Sequence, residues 1–437
     1  MKLSISGNGR YFCMEGEPFF WLGDTAWLLF QKLSYEEALV YLDNRAAKGF
    51  NVIQATLVHT ERYANPAGSP ALLNDDFTSP NPDSSPNAYW PQVRRIVDAA
   101  AQRGMMMALL PSWGVFVKNG QLSGEKIDCY TDFLAATFGD CINVLWLVGG
   151  DVRGSAAQED FNRIGMCLRQ KCPGQLIGYH PFGRCSSSMW FHDAEWLDFN
   201  MFQSGHRRYD QVRLNAWDDK VDVEAYFGED NYRYVQRDYA LHPVKPVLDG
   251  EPSYERIPQG LHDPSQPCWQ ASDVRRYAYW SLLAGACGFT YGSNAIMQFW
   301  RGVEPGSYGV HEVWQEALHN PGSMQMTHVR SLMESICWQD GVPAQEYLLE
   351  NHGQRYDYNL ALRTPKALCV YTYSGKPFTV NTAMLSSGIR GWWFDPESGG
   401  KSYIGKIPNT DRVSFTPPDR CAVHNDWVLL LETDCTV

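Results

Sequence analysis

The feature that most constrains this chain is a repeat of short apolar runs, each stopping at a polar residue and followed by a helical pattern. The runs are Phe19–Gly23, Asn51–Val58, Met105–Pro111, Asn143–Val148, Leu176–Tyr179, Leu197–Phe202, Pro246–Leu248 and Gly288–Tyr291. Near-continuous apolar runs of this length suit strands buried on both faces. Between them lie helical patterns, at about 35–48, 90–103, 127–138, 156–170, 224–240, 272–286 and 323–337. Ser34 followed by Glu37 forms a capping box at the first of these, and Gly49 closes it. Eight strands alternating with helices imply parallel βα units. The competing doubly wound sheet usually carries a glycine-rich phosphate turn after its first strand, and Gly23-Asp24-Thr25-Ala26-Trp27 is not one. The expected architecture is a (β/α)₈ TIM barrel over 19–339, introduced by a small β-hairpin at 1–18.

From about 340 the texture changes. Short β-type runs at 366–373, 378–381, 389–394, 412–415 and 427–432 are separated by turn residues such as Asp395-Pro396-Glu397-Ser398-Gly399-Gly400. They predict a C-terminal antiparallel β-sandwich over 340–437. A chain of 437 residues has room for both domains.

In a barrel of this kind the chemistry sits at the C-terminal ends of the strands. Those ends offer Asp24, His59, Trp113, Asp151, His180, Gln203 with His206, Glu251, and Ser293 with Asn294, in strand order. Two carboxylates stand out. Asp151 ends Trp146-Leu147-Val148-Gly149-Gly150-Asp151, and Glu251 ends Pro246-Val247-Leu248-Asp249-Gly250-Glu251. Strands four and seven face each other across the mouth. A carboxyl from each is what glycoside cleavage with retention requires, one as acid/base and one as nucleophile. Alone, either carboxylate reads equally well as a helix cap or ion-pair partner. Asp249 lies deeper on the strand and is expected to support by hydrogen bonding. Asp24, His59, His180, Gln203 and His206 are candidates for sugar hydroxyls, and Trp113 and Trp300 for stacking on the ring. Each also has a plain structural reading, as cap, satisfied core group or packing. Aromatic residues form 14% of the chain, which suits sugar stacking and large cores alike.

Other chemistries lack their motifs. His311-Glu312 has no partner histidine at the zinc-protease spacing. There is no G-x-S-x-G elbow, no Walker loop and no Cys/His cluster with zinc spacing. No metal or organic cofactor is implied. A net charge of −12 argues against nucleic acid or an anionic membrane as partner. No apolar run is long enough to span a bilayer. The start Met1-Lys2-Leu3-Ser4-Ile5-Ser6-Gly7 lacks a signal-type apolar region, and the 12 cysteines are scattered as expected of reduced thiols. Both predict a cytoplasmic protein, or a secreted one whose leader has been removed.

Four segments carry a resemblance: Phe20-Trp21-Leu22-Gly23-Asp24-Thr25-Ala26-Trp27, Leu147-Val148-Gly149-Gly150-Asp151, Met201-Phe202-Gln203-Ser204-Gly205-His206 and Asp249-Gly250-Glu251-Pro252. Together the chain resembles the apiosidase-like glycoside hydrolases, which pair a barrel with a so-called collagen-binding C-terminal domain. The resemblance extends to the terminal domain, with its Trp393-Phe394-Asp395-Pro396 turn. It implies a retaining glycosidase with Asp151 as acid/base and Glu251 as nucleophile. It also implies a carbohydrate substrate, with apiose-containing side chains of pectin as one family activity. Members with that activity are usually exported, so this chain is expected to differ, acting on short oligosaccharides or plant glycosides. The alternatives are a catalytically inactive carbohydrate-binding protein on the same scaffold, or an adhesive protein acting through the sandwich.

Overall fold

The computed structural model describes residues 2–61, 63–211, 227–349, 352–419 and 425–433. The chain opens with three antiparallel strands, β1 (Leu3–Ile5), β2 (Phe12–Met14) and β3 (Glu17–Phe19). The expected hairpin is thus a three-stranded meander, with Pro18 on an edge strand where its missing N–H costs no ladder bond. Phe12 packs against Trp21 and Phe199, with ring centroids 5.5 and 5.2 Å away. The meander therefore plugs the N-terminal end of the barrel.

The barrel strands are β4 (Trp21–Thr25), β5 (Val52–Thr56), β6 (Met106–Leu110), β7 (Val144–Gly149) and β8 (Ile177–His180), then the short β9 (Cys185–Ser186), β10 (Asn200–Gln203), β11 (Val247–Asp249) and β12 (Gly288–Tyr291). They pair in the order β8-β7-β6-β5-β4-β12-β11-β10-β9, all parallel except β9 against β10. Between β8 and β10 the ladder is replaced by one residue. The Asp198 N–H donates to Ile177 O at 2.9 Å, and its carboxylate accepts from the Ile177 N–H at 2.7 Å. Every residue of the eight parallel strands is buried, which explains the unbroken apolar runs.

Several boundaries differ from the sequence reading; strand six, for example, is Asn200–Gln203 rather than Leu197–Phe202. The run beginning at Phe19 merges the end of β3 with β4, so the first barrel strand lies two residues later and contains Asp24. The helix expected at 224–240 is Tyr232–Tyr239, and 224–226 lie outside the described residues. The capping box forms as read: Ser34 accepts from the Glu37 N–H, and Glu37 accepts from the Ser34 N–H.

Among its described residues the C-terminal domain has eight strands: β13 (Val342–Pro343), β14 (Leu360–Arg363), β15 (Ala367–Thr372), β16 (Phe378–Val380), β17 (Arg390–Phe394), β18 (Lys401–Lys406), β19 (Val413–Phe415) and β20 (Trp427–Glu432). Six form one sheet, β13-β14-β15-β20-β17-β18, and β16 and β19 form the other. Residues 420–424 and 434–437 of the expected sandwich lie outside the described residues. The central strands alternate between two cores. Leu368, Val370, Leu429 and Leu431 face β16 and β19, whereas Cys369, Tyr371, Val428 and Leu430 join the barrel's core. Tyr371 stacks on Tyr279 of the barrel helix Ala271–Leu283 at 4.8 Å, and Arg275 of that helix grips Asp426 with two bonds of 2.8 and 2.9 Å. The sandwich is welded to the barrel wall.

Candidate active site

At the end of β7 the backbone makes a turn that few sequences allow. Gly149, Gly150 and Asp151 have φ of 97°, 108° and 54°. A Cβ on Gly149 would lie 2.4 Å from the His180 carbonyl oxygen, so only glycine fits. Aspartate tolerates the left-handed region better than most residues, yet a non-glycine there still costs on the order of 1–3 kcal/mol. The turn swings the Asp151 carboxyl into the barrel mouth. Across from it, Gly250 is pinned on both sides: its N–H donates to Phe202 O at 2.9 Å, and its carbonyl accepts from Gln54 Nε2 at 2.9 Å. Glu251 follows with its side chain in the mouth, 4% exposed.

Carboxylate oxygens of Asp151 and Glu251 and a ring nitrogen of His180 all lie within 4.8 Å of one another. Glu251 is held from two sides. His206 Nε2 donates to Oε1 at 3.0 Å, and His180 Nε2 lies 3.1 Å from Oε2, close enough to attract the charge but off the hydrogen-bond direction. The Tyr254 hydroxyl accepts from Trp27 Nε1 at 3.1 Å, and the negative charge of Glu251 nearby helps hold its proton.

These surroundings drive the two carboxyls apart. Burial in the pocket wall, then the negative charge of Glu251, push Asp151 up to about 7, against the pull of His180 and the nearby Gln203 side chain. Burial also acts to raise Glu251, but His180 and His206 outweigh it and hold Glu251 well below the usual carboxylate range. At neutral pH one carboxyl is thus fit to donate a proton while the other is a charged nucleophile. Asp151 Oδ1, Gln203 Oε1, His206 Nδ1 and Glu251 Oε2 are buried with no hydrogen-bond partner among the described residues. Native interiors rarely leave such atoms unsatisfied, and here they converge on one cavity.

That cavity has two lobes. One, of about 160 Å³, contains His59, Trp113 and Glu251; the other, of about 150 Å³, contains Phe182, Arg184 and Arg207. They meet at Asp151, Gln203, His206, Leu261 and Tyr308. Among the described residues, Asp151, His180 and Glu251 are also the one trio whose donor atoms stand close enough to hold a metal ion.

Of the residues singled out in the sequence, His59, Trp113, Asp151, Gln203, His206 and Glu251 line the first lobe. Four lie elsewhere. Asp24, read as ending its strand, is inside β4 and fully buried toward the helix layer, where it meets Arg45 Nε at 2.5 Å and Tyr41 Oη at 2.6 Å. It cannot reach a sugar. Asp249 faces away from the cavity and accepts from Ser204 Oγ at 2.8 Å and Asn231 Nδ2 at 3.1 Å. β11 ends at Asp249, so strand alternation does not carry on to Glu251, and only Glu251 lines the cavity. His180 is fully buried behind Glu251 and touches the carboxylate rather than the cavity. Trp300 is outside both lobes, its Nε1 donating to Glu304 O at 2.8 Å. The sequence reading missed Trp27, Glu61, Tyr254 and Tyr308 in the lining. All four sit on loops without periodicity; only Tyr254, three residues after Glu251, had a nearby signal.

Fold and relatives place this chain among the glycoside hydrolases. It belongs to the apiosidase-like family: the family model "Apiosidase-like, catalytic domain" matches residues 6–340, and "Putative collagen-binding domain of a collagenase" matches 342–432. A solved structure named "Glycoside hydrolase" is 37% identical over 100% of this chain and 98% of its own, with a TM-score of 0.94. A glycoside hydrolase family 5 structure from Bacteroides vulgatus is also 37% identical, over 99% of this chain and 93% of its own, with a TM-score of 0.92. A comparison with curated proteins finds no match.

Proposed function

We propose that this chain is a retaining glycoside hydrolase working by double displacement. The observation that carries the reading is the carboxylate pair, with oxygens of Asp151 and Glu251 within 4.8 Å. Retaining enzymes keep their carboxyls about 5–5.5 Å apart, and inverting enzymes roughly 6.5–9.5 Å, to admit a water. Glu251, charged and steadied by His206, attacks the anomeric carbon. Asp151, protonated near neutrality, gives its proton to the leaving oxygen. Once Glu251 is esterified its charge is gone, and the Asp151 carboxyl loses the part of its rise that came from that charge, so it falls. It is then the base that draws a proton from the attacking water.

The glycone sits in the lobe holding Glu251, the aglycone in the lobe beyond Asp151. Plant-type glycosides or oligosaccharides are the substrate class, and apiose-containing pectic side chains are one member of it.

The test is a panel of 4-nitrophenyl glycosides and pectic oligosaccharides with wild type, Glu251→Gln and Asp151→Ala. Glu251→Gln should lose nearly all turnover. Asp151→Ala should spare 4-nitrophenyl leaving groups and lose unactivated ones. Equal losses on both would remove the acid/base role. Saturable sugar binding with no turnover in wild type would favour an inactive carbohydrate-binding protein.

A further inference from the structure

The glycone lobe is lined by three carboxylates, Glu61, Asp151 and Glu251, and among the described residues by no lysine or arginine. Its side-chain nitrogen donors are the amides of Gln203 and Gln298, the indoles of Trp27 (held by Tyr254) and Trp113, His206 on Glu251, and His59. His59 follows β5, is 7% exposed, and lays its ring against Trp113 with centroids 4.7 Å apart. Its tautomer is fixed by the backbone. The Glu61 N–H donates to His59 Nδ1 at 3.2 Å. A ring nitrogen that accepts carries no proton, so in the neutral ring the proton is on Nε2. Nε2 has no hydrogen-bond partner among the described residues, and the ring lines the lobe. Burial pushes the imidazole down to about 3, so the ring stays uncharged wherever the enzyme is folded and active.

We propose that His59 is the specificity-determining residue of the glycone lobe: a neutral, tautomer-locked Nε2–H donor that reads a hydroxyl oxygen of an uncharged sugar. Glu61, two residues on, supplies the complementary acceptor for a sugar hydroxyl. Uronic acids and phosphorylated sugars are refused, because the charged Glu251, with Glu61 beside it, repels them and no lysine or arginine among the described residues lines the lobe. The assignment rests on the lobe being the glycone site of the glycosidase reading, but its test does not need turnover.

The experiment is a titration of tryptophan fluorescence, with Trp27 and Trp113 as reporters, against free D-galactose, L-arabinose, D-apiose and D-galacturonate. Wild type should bind at least one neutral sugar at least tenfold more tightly than galacturonate. His59→Phe keeps a ring against Trp113 but removes the donor. It should weaken that sugar by roughly tenfold to a hundredfold, with no loss for a deoxy analogue lacking the hydroxyl that is read. His59→Gln, whose amide nitrogen reaches about where Nε2 stands, should recover most of the affinity. Preference for galacturonate, no binding of any neutral sugar, or equal affinity in His59→Phe would each overturn the proposal. Intact His59-dependent binding without hydrolysis of any glycoside would instead remove the glycosidase reading and leave this one standing.

Discussion

His206 Nε2 and Glu251 Oε1 stand 3.0 Å apart in the cavity wall, and the edge of Tyr254 packs on the imidazole at 4.8 Å. The donor keeps Glu251 charged although the site is buried. Removing it in His206→Phe leaves burial to act with less opposition, so the Glu251 carboxyl rises. Activity needs the charged form, and the acid limb of the kcat/KM profile should move to higher pH by about one unit or more. A lower rate with an unmoved limb would show that His206 only packs.

The basic limb belongs to Asp151. Its carboxyl, raised to about 7, must be protonated to act as the acid. Activity should therefore fall as pH rises through about 7, giving a bell for wild type. In Asp151→Asn, measured on a glycoside with a good leaving group, the basic limb should vanish. A persistent limb near 7 would assign it to another group.

Asp24 was expected at the sugar and is found paired with Arg45, both side chains fully buried. Asp24→Leu leaves Arg45 charged and unpaired, which costs about 3–5 kcal/mol. The melting temperature should drop by several degrees, while KM of the folded fraction stays near wild type. A raised KM with an unchanged melting temperature would restore Asp24 to the substrate.

Asp249 gives a pH signature of stability. Burial raises its carboxyl to about 7 against hydrogen bonds from Asn231 and Ser204, and its ordinary value is 3.8. A group raised on folding stabilises fully below the unfolded value and loses that contribution as pH climbs through the folded value. Asp249→Asn is neutral throughout and keeps an acceptor for both partners. Its melting temperature should fall less than that of wild type between about pH 4 and 8. Parallel curves would mean that folded Asp249 is ionised across that range.

Barrel and sandwich were legible because their periodicities differ. Short apolar runs broken by helices read one way, and short strands broken by turns another. Strand ends were less legible. Phe19–Leu22 is one apolar stretch to the eye, yet it crosses from the meander into the barrel, and that shift put Asp24 at the mouth. The edge strand β18 was missed because almost every residue from Lys401 to Lys406 is exposed, so no alternation marks it. The Asp151–Glu251 pair stood out because paired glycines before Asp151, and Gly250 before Glu251, mark backbone that must turn sharply at a strand end. Nothing local reveals that His180 sits behind Glu251 or that Tyr254 reaches it, because those contacts are made only when the barrel closes.

The central claim is double displacement by Glu251 with Asp151 as acid/base. The most direct test is the anomeric configuration of the first-formed sugar, read by proton NMR within the first minutes of hydrolysis of a glycoside the enzyme accepts. The same anomer as the substrate, equilibrating only later, is the predicted result. The opposite anomer appearing first would contradict the account and recast Glu251 as the base for an attacking water.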